Sequence, residues 1–492
     1  MITRRGFIVG ASLASSVYSF KALAVGAKPN LCVGILSDVH INHERLLTLR
    51  RALEFFRDRN VDAVMIAGDL STRGQIQELK LLADVWLEVF PGDRRPDGTE
   101  VERLFITGNH DVDGHVHKSL MKCKTTKQAE TDSFYFHRKK IWKELFRIEY
   151  APVVKREVKG YIFVLRNWYS RISSRKLKTA GWDGYTAESE KNPLPEWFAK
   201  HGDELPTDRP FFFCQHEIPK DTCSWDGKGN CDDGTASGIL KKYPNAIAFS
   251  GHSHRSLLDA STIWQGSFTS IGCSASCGYA ATPPGRANGH AGSSDWRKRP
   301  PLTMPPIDFA SCRQGMLMEV YDDRIVLERR DLKNSIRLGD DWVIPIGREA
   351  PRPYLIENRR AAARPPEFAT DARVAVRYLP EGCNRIGEKE PQIEISFPPV
   401  NGLSGKGERA FDFLVEAVWK GKDGSRRDAS LRVYSPNALM ASSFDIEPVI
   451  CRFQAETFTD RDEGDIVFIV TPLGEWGKNG RPISVRWKFK GA

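Results

Sequence analysis

The segment "LCVGILSDVH" (residues 31–40) sets the architecture of the chain. It opens on an apolar run without alternation, the pattern of a strand covered on both faces, and ends in Asp38 and His40. The unit then repeats. "NHERLLTLRRALEFFRDRN" (42–60) sets Leu46, Leu49, Leu53 and Phe56 at helical spacing, and "VDAVMIAGDL" (61–70) is a second apolar strand closing on Asp69. A second helix over "QIQELKLLADVWLEVF" (75–90) leads to a third strand, "RLFITGNHD" (103–111). Strand and helix in alternation predict an α/β sheet, and in such sheets ligands bind at the carboxyl ends of the strands. Each candidate residue so far stands at such an end.

The same reading continues less regularly. "HRKKIWKELFRI" (137–148) reads as a helix, and "YIFVLRNW" (161–168), "RPFFFCQHEIP" (209–219) and "NAIAFSGHSH" (245–254) read as strands. In the last of these, alternate side chains of an extended segment share a side, so His252 and His254 are expected to face one spot. Residues 277–306 have no period and read as a loop or lid, and "GMLMEVYDDRIVLERRD" (315–331) as a hairpin around Asp322 and Asp323. A stretch rich in Pro, Arg and Ala (347–370) is read as a linker between a first domain (28–346) and a last one (371–492). That last part holds short alternating runs such as "QIEISF", "FDFLVEAVW" and "DIVFIVTPL", which argue for a β-sandwich.

At 492 residues, 40% of them hydrophobic and 27% charged, the chain is globular and long enough for two or three domains. Part of the net charge of +9 sits in the first residues and the rest is spread out, which gives mild attraction for anions and no nucleic-acid footprint. Residues 1–27 carry Arg4 and Arg5 ahead of a weakly apolar run ending in small residues. They resemble a twin-arginine export signal, which implies the twin-arginine machinery as a partner and a periplasmic or extracellular destination. That setting permits disulfides. Cys223 with Cys231, and Cys273 with Cys277, are close enough in sequence to pair, and the sequence leaves them open between disulfides and buried thiols.

In chain order the strand ends read Asp38-Val-His40, Gly68-Asp69, Gly108-Asn109-His110-Asp111, His216 and Gly251-His252-Ser253-His254. Five blocks of metal-ligand type after five apolar strands resemble the calcineurin-like metallophosphoesterases, over roughly residues 30 to 345. The resemblance implies an α/β fold, a β-sheet sandwich flanked by helices, with the smaller all-β domain, loosely similar to fibronectin type III, behind it. It also implies two metal ions, held by Asp38, His40, Asp69 and His254 and by Asp69, Asn109, His216 and His252. Nitrogen and oxygen donors without thiolate suit Mn, Fe or Zn. Two cations about 3.5–4 Å apart would hold the ester and activate a bridging water for attack on phosphorus.

By the same resemblance His110 assists the leaving oxygen, and Asp111 holds its ring. The block "GDLS" lacks the tyrosine of the purple acid phosphatase variant. Arg73 stands where the serine/threonine phosphatase branch has a phosphate-binding arginine, and His43, His115, Trp168 and Arg255 are further candidates for the substrate pocket. The expectation is an exported hydrolase of a small phosphomonoester or phosphodiester. The alternative, from another class, is a weakly catalytic scaffold that binds surfaces or glycans through the sandwich.

Overall fold

The computed structural model describes residues 28–114, 131–173, 175, 189–223, 231–276, 313–347, 349–400, 408–410, 412–434, 448–474 and 476–488. Residues 1–27, read from the sequence as an export signal, His115 and the whole 277–306 stretch therefore lie outside the described residues.

Two sheets face each other in the first part of the chain. The first joins β1 (Leu31–Leu36), β2 (Ala63–Ala67) and β3 (Glu102–Ile106) in parallel and continues from β1 through the antiparallel β10 (Gln314–Val320) and β11 (Arg324–Asp331). The short strands β12 (Ile336–Arg337) and β13 (Trp342–Pro345) both pair with β11. The second sheet runs in the order β4 (Val153–Val158), β5 (Tyr161–Arg166), β6 (Phe211–Cys214), β7 (Ala246–Ser250), β9 (Thr269–Gly272) and β8 (Ile263–Gln265), with β5, β6, β7 and β9 parallel.

Why both sheets are so apolar follows from what covers them. Along β1, Leu31, Val33 and Ile35 point into the core between the sheets, while Cys32 and Leu36 point the other way, against helices. Those helices are α1 (Leu46–Asp58), α2 (Ile76–Val89) and, past the one-turn α3 (Asn109–Val112), α4 (Phe134–Phe146). They contribute Leu53, Phe56, Trp86 and Trp142 to that outer layer. On the far side, Phe211 and Phe213 of β6 meet α5 (Leu194–His201) and α6 (Thr235–Leu240), and Phe212 and Cys214 enter the central core. The result is a helix–sheet–sheet–helix sandwich with the parallel strand ends gathered on one edge.

The last part of the chain is all β among the described strands. One sheet has the order β14 (Ala375–Cys383), β15 (Lys389–Phe397), β18 (Val449–Gln454); the other has β17 (Arg426–Tyr434), β16 (Asp412–Lys420), β19 (Ile466–Leu473), β20 (Ile483–Trp487). Ile393, Ile395, Phe413, Val415, Phe453 and Phe468 fill the space between them.

The 347–370 segment departs from a plain tether. It forms α7 (Ile356–Ala362), and the chain ahead of it docks on β8: Gln265 N–H donates to Tyr354 O (3.1 Å), and Tyr354 N–H to Gln265 Oε1 (2.9 Å). Arg359 donates to Ile263 O (2.9 Å) and lays its guanidinium 4.5 Å from the Trp476 ring of the sandwich. Of the cysteines close enough in sequence to pair, Cys277 lies outside the described residues. Cys223 and Cys273 carry free buried thiols, and Cys223 Sγ lies 3.3 Å from Ser270 Oγ. No helix among the described residues is long and apolar enough to cross a membrane.

Candidate metal centre

The loops after the parallel strands are laced together by their backbones before any side chain is considered. Asp38 N–H donates to Gly68 O (3.0 Å), His40 N–H to Asp69 O (2.9 Å), Gly251 N–H to His216 O (2.9 Å) and Ser276 N–H to Ser37 O (2.8 Å). Two glycines permit this closeness. A Cβ at Gly108 would strike the Asp69 carboxylate, and one at Gly251 would strike Ser37 and Asp38.

At this edge Asp38, His40, Asp69 and His254 bring one donor atom each within 4.8 Å of one another, and Asp69, His216 and His252 do the same. Asp69 belongs to both groups. Its Oδ2 lies 3.6 Å from His40 Nε2 and 3.2 Å from His216 Nε2, while its Oδ1 accepts from His110 N–H (2.8 Å). His254 Nε2 stands 2.9 Å from Asp38 Oδ1, and Asn109 Oδ1 stands 3.1 Å from His216 Nε2. All seven residues expected as metal ligands therefore meet at one place.

The two adjacent histidines do not meet there by strand alternation. β7 ends at Ser250, and His252 and His254 have φ of 65° and 51°, in the left-handed region. The chain turns between them, so the rings diverge. His252 faces His216, with ring centroids 5.0 Å apart, and His254 faces His40, at 5.2 Å.

Burial and charge set the chemistry of these groups. Asp38 and Asp69 are 0% and 1% exposed, which raises the cost of their charge, but neighbouring imidazoles outweigh it. Burial would raise the Asp38 carboxyl, yet His254 and His216 bring it down to about 2, and His216 and His110 hold Asp69 well below the usual carboxylate range. Burial lowers His40 to about 3 and His252 to about 4, so both are neutral imidazoles at physiological pH. For His216 burial acts downward, but Asp69 and Asp38 prevail and raise it to about 10. Its Nδ1 lies 2.8 Å from Ala67 O, and since a carbonyl only accepts, Nδ1 carries a hydrogen and Nε2 is the atom aimed at the cluster. Two buried carboxylates ringed by imidazole nitrogens and one amide oxygen, with no thiolate, fit a pair of borderline cations sharing one carboxylate.

His110 sits at the edge of the cluster, its ring edge-on to His40 with centroids 4.7 Å apart. The expectation that Asp111 holds that ring is corrected here. His110 Nδ1 lies 2.7 Å from Thr72 O, and the Asp111 carboxylate instead accepts from Leu70 N–H (3.1 Å), Ser71 N–H (2.8 Å), Ser71 Oγ (2.6 Å) and Gly108 N–H (2.8 Å). The reason is geometric. Within the one-turn α3, neighbouring side chains project about 100° apart, so Asp111 turns inward to fasten the β2 and β3 loops while His110 turns outward. A backbone carbonyl leaves no signal in the sequence, so the part played by Thr72 could not be read from it.

Among the further candidates that are described, Trp168 is brought to the cluster. Its ring centroid lies 6.0 Å from that of His216 and 6.1 Å from that of His252, and its Nε1–H donates to Asp113 Oδ2 (2.8 Å). His43 is exposed at the start of the turn into α1. Arg255 is buried with Asp259 at 4.0 Å. The backbone of Arg73 donates to Glu78 Oε2 (2.8 Å), and among the described residues its Nε is buried without a hydrogen-bond partner. Arg171 belongs to no sequence motif, yet its guanidinium lies 4.9 Å from the Trp168 ring and pairs with Glu217, next to His216.

Comparison with known proteins bears on this arrangement. Residues 32–256 match the calcineurin-like phosphoesterase family. The match takes in all five motif blocks of the phosphoesterase segment and stops short of the hairpin, the linker and the sandwich. No curated protein matches the chain. Among solved structures, a dimetal phosphatase from Danio rerio aligns at 12% identity over 65% of this chain and 100% of its own, with a TM-score of 0.37. A purple acid phosphatase from yellow lupin seeds aligns at 11% identity over 64% of this chain and 55% of its own, also with a TM-score of 0.37. The reading of the phosphoesterase segment rests on the family match.

Proposed function

We propose that the protein hydrolyses phosphoric esters at a dinuclear metal centre. The observation that carries this reading is the membership of Asp69 in both donor groups, since a shared carboxylate is what a metal pair requires. Asp38, His40, Asp69 and His254 would hold one ion, and Asp69, Asn109, His216 and His252 the other. When bound, such ions supply positive charge against the phosphoryl oxygens and lower the pKa of water.

The remaining work falls to residues of this chain. With Nδ1–H committed to Thr72 O, His110 presents Nε2 as the atom that hands a proton to the leaving oxygen. Asp111 fixes the two loops that carry Asp69 and Asn109, so its part is to position ligands. Trp168 walls the side of the centre formed by His216 and His252. The same reading takes the sandwich as a separate, fibronectin type III-like domain, supported by its three-plus-four strand arrangement, and residues 1–27 as a twin-arginine signal supported by Arg4 and Arg5.

The deciding experiment loads the purified protein with Mn, Fe or Zn, counts metals by elemental analysis, and compares bis-nitrophenyl phosphate with nitrophenyl phosphate. Two metals per chain with turnover of either ester is the expected result. Two bound metals with no turnover of either would favour a binding scaffold.

A further inference from the structure

A pocket of about 680 Å³ lies beside the metal-ligand cluster, and Trp168 is its connection to that cluster. The indole lines the pocket and also stands within 6.1 Å, ring to ring, of both His216 and His252. Trp168 is thus shared between the pocket lining and the wall of the cluster, which sets the pocket next to the ligands.

The lining has two characters. Phe136 and Tyr150 join Trp168 in giving it flat aromatic surface, the kind that takes another ring by stacking or edge contact. Among the described lining residues, four cations, Arg138, Lys139, Lys140 and Lys191, stand against a single acid, Glu190. That acid is already engaged, because Arg138 pairs with one of its oxygens and Ser170 N–H donates to the other (2.9 Å). Among the described residues Lys140 has only the exposed Glu144 at 3.9 Å, a pair of small worth. Among the described residues, three lysines therefore remain to draw an anion toward an aromatic floor.

We propose that this pocket takes the alcohol portion of the phosphoester, and that the portion it fits is a planar aromatic ring bearing further negative charge. The proposal rests on the phosphoesterase reading and adds a substrate class to it. Ring contact with the aromatic floor supplies affinity, the lysines select for the additional charge, and Trp168 sets the distance between ring and phosphorus. Small aliphatic phosphates would leave the pocket empty and bind through the phosphoryl group alone.

Two measurements on the full chain test this separately. In the first, the metal-loaded protein is assayed on 1-naphthyl phosphate and glycerol 2-phosphate, and KM for the naphthyl ester is expected to be about tenfold lower, the scale of one good aromatic contact. Phe136→Ala, at a position already 37% exposed, should bring the two KM values together while circular dichroism stays unchanged. In the second, calorimetry follows naphthalene-1-sulfonate binding to the metal-free protein, with one site expected and weaker binding in both Phe136→Ala and Lys191→Glu. Turnover of both esters with equal KM, and no sulfonate binding, would overturn the pocket assignment and leave the phosphoesterase standing. Failure to hydrolyse either ester with two metals bound would overturn the phosphoesterase reading, and the substrate assignment with it.

Discussion

The two halves of this molecule treat backbone strain in opposite ways. Twelve non-glycine residues among those described have φ between 43° and 65°, and the last of them is Ser335. Five are Asp38, His40, Asp69, His252 and His254, all of them donors in the two metal-ligand groups. In the sandwich the positive-φ residues described are Gly387, Gly424 and Gly477, where the conformation costs nothing in sterics. All eleven histidines likewise precede residue 291. Left-handed backbone at a side-chain-bearing residue costs on the order of 1 kcal/mol and persists where the surroundings over-determine it. The first region accepts that cost five times at one spot because each turn aims a donor inward. In the sandwich, charges such as Arg377, Glu394 and Arg452 pair across the strands instead.

The sharpest way to break this contrast is to remove the shared donor. Asp69→Asn should lose metal and activity together, by more than the roughly 10–100-fold typical of a residue that only supports a ligand. Elemental analysis finding two metals and normal turnover in that variant would end the shared-carboxylate reading. Next in size, His110→Asn should keep both metals and lose about 10²- to 10⁴-fold in rate, most visibly on esters with poor leaving groups. A near wild-type rate on such an ester would remove His110 from proton transfer.

The linker offers a test of how separable the two regions are. A chain ending at Ile346 loses the Tyr354 and Arg359 contacts with β8 and should melt lower than one ending at Ala363, which keeps them. Both should bind two metals and hydrolyse nitrophenyl phosphate. A protein ending at Ala363 that is folded and metal-loaded yet inert would mean that the sandwich reaches the active centre.

The smallest effect concerns Asp113, whose carboxyl burial raises to about 6 despite the bonds from Ser170 and Trp168. Raised above its unfolded value near 4, the folded carboxyl holds its proton longer, so stability falls as pH climbs from about 4 to 6. At neutral pH the cost is about 2–3 kcal/mol. Asp113→Asn keeps an acceptor for Trp168 and should flatten that slope, raising the melting temperature at pH 7 more than at pH 4. An equal shift at both pH values would place the cost elsewhere.

Much of the fold and of the centre is legible in the order of residues alone. Unbroken apolar runs such as residues 31–36 and 211–214 announce strands covered on both faces, because burial on two sides removes the polar alternation. The ligand set is legible for a related reason: a polar residue directly after such a strand has few roles other than function. The two errors at the site arise where the readable rule is local and the cause is not. Alternation fails for His252 and His254 because the strand stops at Ser250, and the pairing of Asp111 with His110 fails because a short helix turns them apart.

The chain by itself determined which residue types stand at which strand ends, since hydrophobic periodicity and ligand chemistry are both written in single positions and their spacing. Only the tertiary structure decided that His252 and His254 diverge on left-handed backbone to face His216 and Asp38, that the Thr72 carbonyl rather than a carboxylate holds His110, and that Trp168 stands between the centre and an aromatic, lysine-rimmed pocket. Those relations link residues 38 to 254, 72 to 110 and 136 to 168. They depend on backbone atoms and on surfaces meeting across the two sheets, and such contacts leave no periodic trace in the order of side chains.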